Sequence, residues 1–423
     1  MKILVYSANF APEQTGIGKY SGEMAAWFAE KGYQVRVVSA PPYYPQWKIY
    51  PEYRGWRFQK EQWRGVDVWR TPLWVPKSPG GLKRVLHLLS FAFGSFPVML
   101  YQTFWRPDWV IVVAPAFVCA PAALLAARLS GARSWIHMQD FEVDIAFRMK
   151  LLRGAWLQRV FLRIERWILK RFDVVSSISQ RMVSRLLEKG IAPERIEFFP
   201  NWVDMRHIRP SAASQGYREE LGIDAGATIV LYSGTLGNKQ GLMVIPEVAR
   251  ILAARRDIVF VICGEGVMKA TLQSACAGLP NTRVIPLQPF HRLGDLLCAA
   301  DVHLLPQSLE AEDLVLPSKL SGMLASGRPV VVTCQAGTEL DTVVSNCGVV
   351  VEPEDSAALA RAINQLADDP VLRAKLGDSG RKYAALHFDR DAVLARIARH
   401  LNGGSDAPQM DHAGDPLQND VVA

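Results

Sequence analysis

The chain carries one rhythm twice: short, nearly unbroken runs of Val, Ile and Leu, separated by stretches with helical periodicity. In the front half "KILVYSA" and "QVRVVSA" flank a helical segment, Lys19 to Lys31, and "DWVIVVAP", "RSWIHMQD" and "DVVSSIS" follow. The back half repeats the pattern with "TIVLYSG", "DIVFVICGEG", "TRVIPL", "ADVHLLP", "RPVVVT" and "GVVVEP". A strand without polar alternation has no face for water, so it belongs in a parallel sheet covered by helices on both sides. Two such series imply an α/β chain of two doubly wound, Rossmann-like domains. Its 423 residues, 49% hydrophobic and 21% charged, suffice for a separate core in each. A polar, proline-containing stretch, Asp204 to Gln215, marks the seam and sets the domains at 1–205 and 216–385. A C-terminal helix over 386–401 follows, and the tail 402–423, rich in Gly, Pro, Asp, Asn and Gln, has too little to bury and is expected to be disordered.

Six cysteines (Cys119, Cys263, Cys276, Cys298, Cys334 and Cys347) lie far apart with no CxxC pair, most of them inside apolar runs. That pattern fits buried free thiols in a reducing cytosol. The amino terminus, "MKILVYSANFAPEQ", reads as a first strand with no small-residue cleavage site after it, so export by a signal peptide is not expected. Charge is divided unevenly. Residues 1–210 hold 30 Lys+Arg against 16 Asp+Glu, a net of +14, whereas 211–423 hold 18 against 25, a net of −7. A cationic front half implies an anionic partner. No nucleic-acid module signature is present, which favours an anionic membrane surface.

Ligands of open α/β sheets bind at the C-terminal ends of the strands, and two such domains in tandem bring those ends together across a cleft. After the first strand comes "NFAPEQTGIGKYSGEM", in which Gly16 and Gly18 precede a helix. The glycines do not complete GxGxxG, and "VRVVSAPP" ends strand two without an acid for a ribose, which argues against a nicotinamide enzyme. In the back half, "SGTLGNKQG" carries Gly234 and Lys239, "CGEG" carries Gly264, and Leu305 to Val330 leads an acidic loop into a helix beginning near Pro317 and Ser318. A glycine loop exposes backbone N–H groups, a lysine adds a point charge, and a helix start favours anions. Lys239 and the N–H groups around Val315 to Lys319 would then grip one diphosphate from two sides. The alternative is a surface turn with a solvated lysine.

"YSANFAPEQTGIGKYSGEMA", "YSGTLGNKQGL" and "EDLVLPSKL" are long strings spread over both halves. Through them the whole ordered chain resembles the retaining, two-Rossmann-domain glycosyltransferases of GT-B architecture, the group that also includes glycogen and sucrose synthase-like enzymes. It is most similar to the exopolysaccharide branch, among the colanic acid fucosyltransferases. The resemblance implies a nucleotide-diphosphate sugar held mainly by the back domain, an acceptor held by the front domain, and transfer with retained configuration. The donor it implies is GDP-fucose. It places Gly16 and Gly18 under the donor phosphate and sugar, Lys239 on the leaving diphosphate, and Phe290 of "PLQPFHRL" where the family's backbone reads the base. Gly234, Gly264, Leu316 and Ser318 complete the expected donor contacts.

The chain departs from the family pattern in several places. Thr235 and Leu236 stand where the family usually has an arginine ahead of the lysine, and Leu314 and Gly322 occupy the places of its two glutamates. Lys319 is then expected to add the missing positive charge, and Glu312 or Asp313 to reach the sugar hydroxyls. The family's His-Asp pair reads "HMQD", with Gln139 in the His place and Asp140 in the Asp place. His137, two residues earlier on the same strand face, is an alternative, although a lone strand histidine is more often a satisfied core residue. The expected catalytic set is Lys239, Asp140 and Glu312. No metal is expected: a lysine and a helix start can stabilise a departing diphosphate. The lone Asp-x-Asp, Asp389-Arg390-Asp391, reads as a solvated or ion-paired helix face.

Two further stretches bear on the acceptor. "RMKLLRGAWLQRVFLRIERWILKRF", Arg148 to Phe172, has eight Lys/Arg and one acid, with Leu152, Trp156, Val160, Ile164 and Trp167 at spacings of three and four. That is the make-up of an interfacial helix on anionic lipid, or of a helix packing its stripe on the sheet. "LKRVLHLLSFAFGSFPVMLYQTFW" is long enough to span a membrane, but a span would separate the strands on either side of it. A helix dipping into the interface and broken near Gly94 to Pro97 is expected instead. The aromatic and arginine-rich loop between Pro41 and Trp74 suits sugar rings and a pyrophosphate, or serves as a lid. These features suggest a polyprenyl-diphosphate-linked acceptor and a peripheral protein at the cytoplasmic face of the membrane. Two other readings stay open: a nucleotide-sugar epimerase of the same architecture, and a noncatalytic membrane-bound assembly subunit.

Overall fold

A computed structural model describes the chain outside residues 15, 78–79, 115–116, 142–154, 210–211, 310–315 and 405–423, and apart from the side chains of 82, 155, 157, 212, 213 and 239. The chain divides into two compact units, Met1–Phe199 with Leu394–Ala423, and Pro200–Val393. The division lies ahead of the seam and the 205 boundary expected from sequence, because the segment after Phe199 pairs with the second unit. There Val203 bridges Asp389, its N–H donating to the Phe388 carbonyl at 2.8 Å.

The first unit contains β1 (Lys2–Ser7), α1 (Gly16–Glu30), β2 (Gln34–Ser39), β3 (Gln59–Trp63), β4 (Val66–Arg70), α2 (Gly81–Thr103) and β5 (Trp109–Ala114). After them come α3 (Ala120–Ser130), β6 (Arg133–Met138), α4 (Ala155–Leu169), β7 (Val174–Ser177), α5 (Gln180–Glu188) and β8 (Ile196–Phe198). Its eight-stranded sheet has the order β3-β4-β2-β1-β5-β6-β7-β8. Every described pairing in it is parallel except that of β3 with β4. Right-handed crossovers put α1 on one face, since β1 to β2 runs one way along the sheet. They put α2, α3 and α4 on the other, since β4 to β5 to β6 to β7 runs the opposite way.

The second unit contains α6 (Ala212–Glu220), β9 (Thr228–Ser233), α7 (Val244–Ile251), β10 (Ile258–Cys263), α8 (Lys269–Cys276), β11 (Thr282–Ile285) and α9 (Phe290–Ala299). It continues with β12 (Val302–Leu305), α10 (Lys319–Ala325), β13 (Val330–Thr333), α11 (Glu339–Val344), β14 (Gly348–Val351), α12 (Ser356–Asp368) and α13 (Pro370–His387). The six strands order as β11-β10-β9-β12-β13-β14, parallel throughout. Neighbouring residues of β9 enter opposite cores, Ile229 and Leu231 on one face and Val230 and Tyr232 on the other. That two-sided burial is why the strands show no polar alternation.

The last helix, α14 (Arg390–Leu401), starts in the second unit and ends in the first. It is shorter than the expected 386–401 helix, because α13 runs on to His387. Asp389 caps it by accepting from the Ala392 N–H at 3.0 Å, Arg390 reaches Asp204 at 2.8 Å, and Asp391 pairs with Arg206 at 3.0 Å. The Asp-x-Asp is thus a helix start held by ion pairs. The tail from 405 lies outside the described residues. All six cysteines are buried and none is in a disulfide.

In the first unit one expectation needs correction, and one choice between two readings is decided. Helix α2 is unbroken from Gly81 to Thr103, with Pro97 inside it. Gly94 marks close packing there, since a Cβ at that position would run into the Pro72 carbonyl oxygen. The span Lys83–Thr103 is apolar enough to cross a membrane by length and composition, yet β4 and β5 on its two sides share one sheet. In α4 the apolar stripe does not pack inward: Trp156, Ile164 and Trp167 are 69, 47 and 57% exposed. Glu165, Ile168 and Leu169 are buried in its place, and Glu165 is ion-paired with Lys189 of the α5 C-terminus. Residues 148–154 of the basic stretch lie outside the described residues.

Candidate functional site

In the second unit the chain winds outward from β9 in both directions, to β10 and β11 on one side and to β12, β13 and β14 on the other. The reversal between β9 and β12 opens a crevice at their C-terminal ends, the position where open α/β sheets take ligands. Gly234 directly follows β9, Gly264 follows β10, Phe290 follows β11, and Lys319 follows β12.

Glycine lets these loops meet. Gly234 adopts φ +149, and a Cβ on it would stand 3.1 Å from the Lys319 Nζ. A Cβ on Gly264 would overlap the Gly234 carbonyl oxygen, and one on Gly266 the Leu236 carbonyl oxygen. The Gly234 N–H donates to the Cys263 carbonyl at 3.0 Å, and the Leu236 N–H to the Glu265 carbonyl at 2.9 Å. Lys319 crosses this glycine floor. Its ammonium donates to the Tyr232 hydroxyl at 2.8 Å and lies 4.3 Å from the centre of that ring. The Tyr232 hydroxyl in turn donates to the Thr235 carbonyl at 2.6 Å. Among the described residues no carboxylate pairs with Lys319, and burial pushes its pKa down to about 8. Burial likewise pushes the Tyr232 hydroxyl well above its ordinary value, so it stays neutral.

The structure therefore brings together Gly234, Gly264 and Lys319. Lys239 lies in a single 3-10 turn, Asn238–Gln240, but its side chain is outside what is described, as are Glu312 and Asp313. Leu316 packs on the edge of the core. Ser318 stands at the start of α10, but in the right-handed helical region (φ −58), and its side chain makes no capping bond. An N-cap side chain reaches back to the helix only from an extended backbone, so Ser318 does not cap α10. With α10 only seven residues long, the positive charge that the described side chains bring to this crevice is that of Lys319 rather than of a capped helix start. Phe290 opens α9 and is 41% exposed. His207 stacks on it at 4.8 Å and 5°, and Nε2 of His207 lies 3.0 Å from the Phe290 carbonyl, to which it can donate.

In the first unit Gly16 opens α1 at φ +60 and is exposed, while Gly18 is buried. The space a Cβ on Gly18 would fill is taken by Glu13, itself 2% exposed. Oε1 of Glu13 accepts from the N–H groups of Tyr43 at 2.9 Å and Tyr44 at 3.0 Å, and Oε2 accepts from Asn9 Nδ2 at 3.0 Å. Burial raises its pKa and those donors pull it down. Gly18 thus makes room for one of the chain's own carboxylates, tying the loop after β1 to the segment after β2. Farther along the sheet, His137 is buried and held neutral, its pKa pushed down to about 3 by burial. Its ring nitrogens meet Ser176 Oγ and Gln139 Nε2, both at 2.9 Å, which makes it a satisfied core histidine. Asp140, just beyond β6, is partly exposed.

Neither Tyr232 nor Glu13 stood out in the sequence. Tyr232 sits in an apolar strand run, and Glu13 in a loop whose glycines drew the attention. The one usable signal was adjacency: each lies within a few residues of a glycine that its side chain, or its partner's, requires. Among the described residues no group of three or more His, Cys, Asp or Glu could hold a metal ion.

Two Rossmann-like units with loops at their strand C-terminal edges describe the GT-B architecture, and solved GT-B structures superpose on most of the chain. Sucrose-phosphate synthase from Thermosynechococcus elongatus gives a TM-score of 0.72 at 16% identity, covering 95% of this chain and 98% of that one. Anabaena HepE, solved with UDP, gives 0.69 at 16% identity over 96% of this chain and 100% of that one. The family model "Glycosyl transferase 4-like domain" matches residues 15–202, and "Glycosyl transferases group 1" matches 214–383. The chain is 42% identical over 415 residues to a protein of Escherichia coli (strain K12) named as the colanic acid biosynthesis glycosyl transferase WcaI, covering 95% of this chain and 100% of that one. It is also 26% identical, over 96% of its length and 100% of the relative's, to a GDP-mannose-dependent phosphatidylinositol monomannoside mannosyltransferase of Mycolicibacterium smegmatis. The chain belongs to the group 1 glycosyltransferases.

Proposed function

We propose that this chain transfers a sugar, fucose from GDP-fucose, onto a polyprenyl-diphosphate-linked acceptor during exopolysaccharide repeat-unit synthesis of the colanic acid kind, with retention of configuration. The observation that carries the donor half is Lys319. It is a largely buried ammonium with no carboxylate partner among the described residues, lying on a glycine floor at the topological switch of the sheet. Such a site favours an anion, and a departing nucleoside diphosphate is the anion this family's chemistry produces. WcaI supports the pathway class, and HepE, solved with UDP and with UDP-glucose, supports a nucleotide in the same fold.

In this reading Lys319 and Lys239 stabilise the negative charge that grows on the leaving diphosphate, an interaction stronger in the transition state than in the ground state. Glu312 or Asp313 holds the sugar hydroxyls and Asp140 serves the reacting sugar from the first unit. Gly16 lines the approach of donor phosphate and sugar while Gly18, filled over by Glu13, does not, Leu316 and Ser318 flank the diphosphate, and the backbone at Phe290 meets the base. The charge is met by lysines, so no metal is required, and activity is expected to survive EDTA.

The acceptor half rests on the helical layer of α2, α3 and α4. Phe93 and Phe104 of the α2 region, Leu129 of α3, and Trp156 and Trp167 of α4 are exposed on one face of the sheet, and exposed Arg159, Arg163 and Arg166 share α4 with the tryptophans. Aromatic and basic residues together suit an anionic bilayer surface, which would hold the protein peripherally at the cytoplasmic face, next to a lipid-linked acceptor.

The test is calorimetric titration with GDP and UDP, then transfer from the matching nucleotide sugar to a lipid extract of the source cells, with the anomeric configuration read by NMR. GDP binding and an α-linked product from an α-donor, or β from β, are expected. Binding of UDP alone overturns the donor identity, inversion overturns retention, and an epimerised nucleotide sugar without transfer overturns the reading as a transferase.

A further inference from the structure

Tyr232 is the last residue but one of β9, and its ring belongs to one of the two cores of the second unit. Its hydroxyl proton is committed to the Thr235 carbonyl at 2.6 Å, which leaves the hydroxyl oxygen as an acceptor pointing at Lys319, 2.8 Å away. An ammonium has three donors and this bond uses one. The other two meet no acceptor among the described residues, while the glycine at 234 keeps the space beside them clear. A lysine that served only the fold would be expected to reach a carboxylate or to snorkel to water. Here a neutral hydroxyl fixes the ammonium and leaves two of its three donors without an acceptor among the described residues.

We propose that Tyr232 is a positioning residue for the donor diphosphate: its hydroxyl aims Lys319 across Gly234 and, through Thr235, ties that aim to the loop carrying Lys239. The inference rests on the reading of Lys319 as a diphosphate group. Three partners on three segments fix one geometry: β9 supplies the hydroxyl, the start of α10 the ammonium, and the loop after β9 the carbonyl that orients the hydroxyl proton. Diphosphate binding therefore senses the hydroxyl, while contacts to the nucleoside and its first phosphate do not.

The experiment is titration of the full-length chain with GMP, GDP, UMP and UDP, comparing wild type, Tyr232→Phe, Lys319→Met and the double variant. The phenylalanine variant keeps the ring in the core and removes only the hydroxyl. It is expected to weaken the diphosphate that binds wild type by about ten- to a hundredfold, the size of one hydrogen bond to a charged group. Monophosphate binding should be unchanged, which also shows that the variant is folded. In the Lys319→Met background the same change should have no further effect, because Tyr232 acts through the lysine. Diphosphate affinity equal to wild type in Tyr232→Phe, or an undiminished loss in the double variant, overturns the proposal. An equal loss of mono- and diphosphate makes the hydroxyl structural and overturns it too. If wild type binds none of the four, the underlying reading of the site fails, and this one with it.

Discussion

Lys319 is held in the fold with its charge incompletely compensated, and two effects of opposite sign follow. Its pKa lies near 8, below that of an ordinary lysine, so between those values the unfolded chain binds more protons than the folded one. The contribution of this residue to the stability of the unliganded protein should therefore rise as pH climbs above about 8. Diphosphate affinity should fall over the same range, as the ammonium that meets the anion is lost. Comparing wild type with Lys319→Met from pH 6.5 to 9.5, by thermal melts and by titration with GDP, checks both; a flat affinity difference would remove Lys319 from the diphosphate site. Gly264 makes a second prediction at this scale. Its missing Cβ is what lets the loops after β9 and β10 touch, so Gly264→Ala should destabilise the protein by about 2–4 kcal/mol, read from the denaturant midpoint. A loss below about 0.5 kcal/mol would mean that the backbones are free to part. The sequence showed these glycines as loop formers; it did not show which carbonyl each one faces.

Among the elements, the strands were the most legible. Burial on both faces demands nearly unbroken apolar runs, and such runs mark β9, β10 and β13 of the second sheet. The strands that sequence reasoning passed over, β3 and β8, show why: QKEQW of β3 alternates between half-buried and exposed on the antiparallel edge and IEF of β8 is three residues around a glutamate, so neither carries an apolar run. The helix α4 shows the converse. Its stripe of Trp156, Ile164 and Trp167 had two readings, and spacing alone could not choose between them. In the fold its inner side is built from Ile168, Leu169 and a buried Glu165–Lys189 pair, so the stripe is left outside. Replacing both Trp156 and Trp167 by Glu should leave the melting temperature within about 3 °C and lower binding to vesicles containing anionic lipid by at least about tenfold. Co-sedimentation with such vesicles measures it, and unchanged binding would turn attention away from this face.

Over the whole molecule, charge and fold divide along nearly the same line. The front half carries +14 and the back half −7, close to the division between Phe199 and Pro200. Vesicle binding should accordingly weaken steeply as salt rises from about 50 to 500 mM, because screening shortens the reach of the exposed charge, while nucleotide affinity at the largely buried Lys319 should change much less. Measuring both in one salt series checks the assignment of the two partners to the two units, and parallel slopes would contradict it.

Hydrophobic rhythm alone established two parallel α/β units and most of their strands, because burial on both sides of a sheet leaves little freedom in residue type. Glycine and lysine content further pointed to an anion at the strand ends. Three matters depended on the folded chain: that Lys319 finds Tyr232 and Gly234, that Glu13 meets the N–H groups of Tyr43 and Tyr44, and that the α4 stripe faces outward. Each is a relation between residues distant in sequence or between alternative faces of one element, and such relations are set by how the elements pack. Local periodicity records that a residue is apolar or charged; the neighbours that give it a task are supplied by the tertiary structure.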